Sequence, residues 1–116
     1  MNESDFAVNC LEQMVSTVKL VLKTDAETAR ALIEMNSFLM HCSAQNRAVL
    51  REVLTEHGFH RVTTANDWKD VKTFCDAHKT GVFVLEYPDR LIVVMDGEAQ
   101  STTTERPARV WYRTCG

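Results

Sequence analysis

The chain lacks the features that most readily mark a function class. It has no excess of positive charge: 13 Lys and Arg stand against 16 Asp and Glu, a net charge of -3. With a pI near 5.8, there is no electrostatic footprint for nucleic acid. No apolar run approaches the roughly 20 residues that a spanning helix needs. The opening stretch MNESDFAV has neither a basic start nor an apolar core, so a signal peptide is not expected. These absences predict a cytoplasmic protein with no membrane role. There is no glycine-rich phosphate loop, no internal repeat, no low-complexity tract and no recognisable Ser/His/Asp context. There is also no C-x-x-C among the four cysteines, Cys10, Cys42, Cys75 and Cys115. In a reducing compartment these are expected as free thiols.

What is present is an ordinary globular composition, 45% hydrophobic and 25% charged over 116 residues. That length predicts a single domain over 1–116 with a modest core. Cys75-x-x-His78 has half the spacing of a zinc site, and His41-Cys42 offers two more ligand types. Adjacent residues rarely both ligate, and structural zinc takes two well-spaced pairs. No metal and no cofactor are expected.

The first half reads helical. Phe6, Leu11, Met14, Val15, Val18, Val21 and Leu22 recur at helical spacing. Thr24-Asp25-Ala26-Glu27 reads as a capping box opening a second helix, with the stripe Ala29, Leu32, Ile33 and Leu39. Ser43 is expected to cap a third helix with the stripe Val49, Leu50, Val53 and Leu54. Gly58 then supplies the left-handed stop. His57, in the last turn, suits the negative end of the helix dipole.

The second half changes period. Phe59–Thr64 predicts a short strand. Asn66 or Asp67 is expected to start a fourth helix, with Trp68, Val71, Phe74, Cys75 and His78 along one side. Val82–Tyr87 is apolar on both faces and predicts a central strand. Pro88-Asp89 is turn chemistry, and Leu91–Met95 is again almost wholly apolar. Asp96-Gly97 is the strongest hairpin signal in the chain. Glu98–Thr103 predicts a polar edge strand. In Ala108–Thr114, Val110 and Tyr112 face one way, and Arg109, Trp111 and Arg113 the other. Helices first and strands afterwards predict an α+β fold, with N-terminal helices packed on a C-terminal antiparallel meander.

Two readings of Cys10 stand side by side. Asn9-Cys10-Leu11-Glu12 forms a second capping box, which would place Cys10 in a first helical turn where dipole and free amides favour thiolate. Alternatively the helix starts near Ser4, and Cys10 is a small hydrophobe on the stripe of Met14 and Val18. A thiol nucleophile also needs a base. His41, His57, His60 and His78 are the candidates, none with a recognisable lead-in. Tyr87, Arg90, Arg109, Trp111 and Arg113 are residue types enriched at binding hot spots. The plainer reading is that the aromatics cover the sheet and the arginines are solvated. Glu3/Asp5, Glu52/Glu56 and Asp67/Asp70/Asp76 read as solvated helix faces.

The order NDWKDVKTFCDAHKTG, VFVLEYP, DRLIVVMDG, PARVWYR over residues 66–113 resembles the C-terminal half of small papain-like cysteine peptidases of phages and bacteria. In that family the strand running into the Asp-Gly turn begins with the catalytic histidine, and Arg90 occupies that place here. Arginine stays protonated and cannot act as a base. Ser101, with Gln100 beside it, falls where the family carries the histidine's partner. Cys10 matches the nucleophile by position, without the family's usual glycine or aspartate lead-in. The resemblance implies a catalytically degenerate papain-like domain that acts by protein binding. It also implies a phage or mobile-element inhibitor of a host enzyme or defence complex. The alternatives are an active thiol enzyme using Cys10 with His41 or His78, and a small assembly protein, most simply a homodimer.

Overall fold

The computed structural model describes residues 3–62, 71–101, 103 and 105–113, with side chains from Cys10 onward. The protein is α+β. Its order is α1 (Glu3–Leu22), α2 (Ala26–Met40), α3 (Arg47–Glu56), β1 (His60–Val62), α4 (Val71–Ala77), β2 (Val82–Glu86), β3 (Leu91–Met95), β4 (Glu98–Ala99) and β5 (Arg109–Arg113). The chain divides into two compact units, Met1–Gly58 and Phe59–Gly116, where length alone suggested one domain.

The first unit is three helices that pack on one another. Met14, Val15, Val18 and Val21 of α1 are buried, as their spacing requires. The side chain of Phe6 lies outside the described residues. Lys23 takes a left-handed conformation (φ 53°), and the Thr24 amide donates to the Lys19 carbonyl at 3.1 Å. That is a helix stop. Thr24 therefore belongs to the end of α1, and the cap of α2 is Asp25 in place of the expected Thr24. An Asp25 carboxylate oxygen accepts from the Thr28 amide at 2.7 Å. The same bond holds the Asp25 carboxyl below its ordinary value. Likewise Asn46, and not Ser43, caps α3, accepting from the Ala48 amide at 2.9 Å. Ser43 instead opens the preceding turn, its hydroxyl accepting from the Gln45 amide. Val49, Leu50, Val53 and Leu54 are fully buried, and Gly58 takes φ 88°, both as expected from their spacing and place.

The second unit is a five-stranded antiparallel sheet in the order β1-β5-β2-β3-β4. β2, β3 and β4 form the expected meander through the Asp96-Gly97 turn, both residues at positive φ. The last strand corrects the expectation of a simple meander. β5 returns across the sheet and pairs with β2 and β1, with Val84 opposite Trp111 and Arg61 opposite Trp111 on the other side. β2 is thereby central, and all five of its residues are buried. The edge strand β4 is shorter than Glu98–Thr103. There the Gln100 side chain replaces a backbone acceptor, taking the Val93 amide at 2.9 Å, and the ladder stops. α4 covers one sheet face. Val71 and Phe74 join Phe83, Leu85, Tyr87, Ile92, Val94 and Val110 in one cluster. The expected helix start at Asn66 or Asp67, and Trp68, Thr114 and Cys115, lie outside the described residues.

Candidate functional site

The thiol chemistry can be weighed from the helix that carries it. α1 begins at Glu3, so Cys10 sits seven residues beyond, about two turns in. The capping-box reading of Asn9 is corrected: helix-dipole activation falls off within the first turn, and Cys10 is past it. Cys10 is half-buried, as are Cys42 and Cys75. Burial, with the neighbouring Asp76 carboxylate, pushes the Cys75 thiol above its ordinary value, which makes it less reactive.

Two of the histidines are occupied by their own helices. His57 Nδ1 lies 2.8 Å from the Val53 carbonyl and His78 Nδ1 lies 3.0 Å from the Phe74 carbonyl. A carbonyl only accepts, so in each ring Nδ1 carries the proton. The Val53 contact lies at the end of α3, and the Phe74 carbonyl also accepts the His78 backbone amide at 2.9 Å, so ring and main chain share that oxygen. His57 thus takes the capping place read for it. His78 also stacks on Phe74 at 4.3 Å and meets Phe83 edge-on at 5.0 Å. His41 takes the left-handed position ending α2, and His60 is exposed on β1. Among the described residues, no three His, Cys, Asp or Glu side chains gather as a metal site would require. No helix among them is long and apolar enough to cross a membrane.

The aromatic and arginine set around the sheet is placed differently from the hot-spot reading. Tyr87 is 1% exposed and Trp111 8%. They are interior residues, because β2 and β5 lie side by side at the centre of the sheet. Trp111 Nε1 donates to Glu86 Oε2 at 2.6 Å, giving a buried carboxylate a charge-assisted bond. Arg90 ties down the chain beyond β4. Its guanidinium donates to Asp89 at 3.1 Å and to Thr103 Oγ1 at 2.9 Å, pairs with Glu105 at 3.2 Å and lies 5.1 Å over the Tyr87 ring. The Tyr87 hydroxyl donates to the Glu105 carbonyl at 3.2 Å. Arg90 is thus a structural clamp between the β2–β3 turn and the segment leading to β5. Arg113 is half-buried, its guanidinium 4.9 Å over the Phe59 ring.

The second unit also holds a cleft of about 360 Å³. Phe83 and Tyr112, stacked at 4.8 Å, form its wall with His78, and Lys79 stands beside them. It presents flat aromatic surface and a cation, and among the described residues no cysteine lines it.

The surface feature that sequence reasoning missed is on α2. Its inward stripe is Ala29, Ile33 and Asn36, spaced four and three. Asn36 is tolerated at 5% exposure because its amide donates to the Leu32 carbonyl of its own helix at 2.9 Å. Leu39, expected on the inward stripe, is 65% exposed, with Met35 at 55% and Phe38 at 79%. These three stand at i, i+3 and i+4, a second apolar face on the same helix. The signal was available: α2 carries more apolar residues than one stripe can hold. Comparison of the chain with protein-family models, with curated proteins and with solved structures finds no match, so the likeness over residues 66–113 rests on the motifs quoted for it alone.

Proposed function

We propose that this protein acts by binding another protein, through the outward face of α2, and not by thiol catalysis. The observation that carries the reading is the exposure of Met35, Phe38 and Leu39 on adjacent turns of one helix. Water-facing apolar side chains of this size, grouped rather than scattered, are what a binding surface offers. Their i, i+3, i+4 spacing is the pattern of a helix seated in or along an apolar partner surface. Against catalysis stand the interior position of Cys10 in α1 and the engagement of Arg90 with Asp89, Thr103 and Glu105.

The finer reading is a degenerate papain-like domain serving as a phage or mobile-element inhibitor of a host enzyme or defence complex. Helices preceding an antiparallel sheet, and β3 running into the Asp96-Gly97 turn, support it. A photo-crosslinking residue placed at position 38, in cells that carry the natural partner, tests the binding face. A discrete adduct at 38 that is absent when the residue is placed at 52 on α3 is expected. Equal adducts at both positions, or none at 38, would remove the α2 face from the account.

A further inference from the structure

The border of the α2 face says what kind of surface it would meet. Glu27, Ala31, Glu34 and Phe38 are spaced four, three and four, so they trace one line along the helix. Glu34 therefore borders the apolar group Met35, Phe38 and Leu39, and Glu27 continues the same side about two turns nearer the helix start, beyond Ala31. Both are exposed, and neither forms an ion pair among the described residues. They stand seven residues apart, about 10 Å along the axis. The one cation of α2, Arg30, is held by Glu12 of α1 at 2.7 Å and does not neutralise this border.

We infer that the partner of this face is an amphipathic helix whose apolar stripe is bordered by Lys or Arg two turns apart. The inference rests on the α2 face being the binding surface. Two anionic groups beside an apolar stripe favour cations at matching positions and disfavour acidic ones. A second copy of this chain fits less well. An antiparallel self-pairing through α2 brings each glutamate border against its own copy. A parallel one brings it against the uncharged side that carries Leu32 and Leu39. Neither arrangement supplies a cation from α2.

The test uses the full chain and two synthetic peptides of about 20 residues, a length that holds a helix. Both carry the same leucine stripe, one bordered by lysines two turns apart and the other by glutamates. Binding is read by fluorescence anisotropy. The basic peptide is expected to bind the tighter, and to weaken as salt rises. The double variant Glu27→Lys/Glu34→Lys is expected to weaken it about tenfold, and Phe38→Ser about thirtyfold or more. Glu52→Lys/Glu56→Lys, which places the same charge change on α3, is expected to leave it unaltered. Circular dichroism melts of each variant exclude unfolding as the cause. Equal binding of the two peptides, or equal weakening by the α3 variant, would overturn the basic-partner inference. If Phe38→Ser still abolished binding in that case, the α2 face itself would stand. Binding indifferent to Phe38→Ser would overturn both. So would failure of the basic peptide to bind at all. A dimer in sedimentation equilibrium that is lost in Phe38→Ser would make a second copy the occupant and overturn the inference.

Discussion

Cys10 and Arg90 are the residues on which the thiol reading turned, and the surroundings of each set its place in the fold. Two features of Cys10 were legible: a cysteine in a helix and a capping-box spelling ahead of it. What the spelling does not show is that α1 reaches back to Glu3, because Asp5-Phe6-Ala7-Val8 is as compatible with helix as the residues after Asn9. Arg90 was legible as the wrong residue for a base. Its actual work, clamping Thr103 and Glu105, depends on a segment thirteen and fifteen positions later and has no local signal. Trp111 shows the same limit. Alternation placed it on one face of β5 with Arg109 and Arg113, which left open whether it covers the sheet or offers a binding surface. Glu86, opposite Arg109 on β2, accepts the indole N–H and allows the ring to be buried. One prediction belongs here. Alkylation of the native protein across pH, read by mass spectrometry, is expected to show no preference for Cys10 below about pH 7, well under a free thiol's ~8.5. Cys75 is expected to react last and only at higher pH: its raised value means that less thiolate is present at any given pH. Selective labelling of Cys10 at neutral pH would restore the thiol-enzyme reading.

At the scale of elements, existence was more legible than ends or partners. The stripes of α1 and α3, the central strand β2 and the Asp96-Gly97 hairpin arise from period and turn chemistry. Caps shifted by one residue at α2 and three at α3, because adjacent Thr24/Asp25 and nearby Ser43/Asn46 all have capping chemistry. The choice falls to backbone geometry: Thr24 is already committed to the stop of α1. The return of β5 between β1 and β2 is a non-local pairing, and no local pattern encodes it. Entry to β2 depends on Gly81. At φ 97°, a side chain there is strained, and a Cβ would stand 2.8 Å from Tyr112 Cε2 on β5. Gly81→Ala is therefore expected to cost about 2–4 kcal/mol in denaturant unfolding. A loss below about 0.5 kcal/mol would mean that the β2–β5 pairing is not as described.

At the scale of the molecule, the chain is two compact units, each with its own buried residues, one all helical and one built on the sheet. The α+β class was readable from the change of period near Phe59. The exposed apolar face of α2 was not, because counting apolar residues assigns every one of them to a core. Only the placement of Asn36 inward turns Met35, Phe38 and Leu39 outward. An exposed apolar face costs solubility when bare, which is the physical reason to expect that it is covered when the protein works. Hydroxyl-radical footprinting addresses that directly, comparing the purified chain with the chain in extract from cells that carry its natural partner. Selective protection of Met35, Phe38 and Leu39 in the extract, with exposed residues of α3 and β4 labelled alike in both samples, is the result the account predicts. Equal labelling of the α2 face in both samples would contradict it.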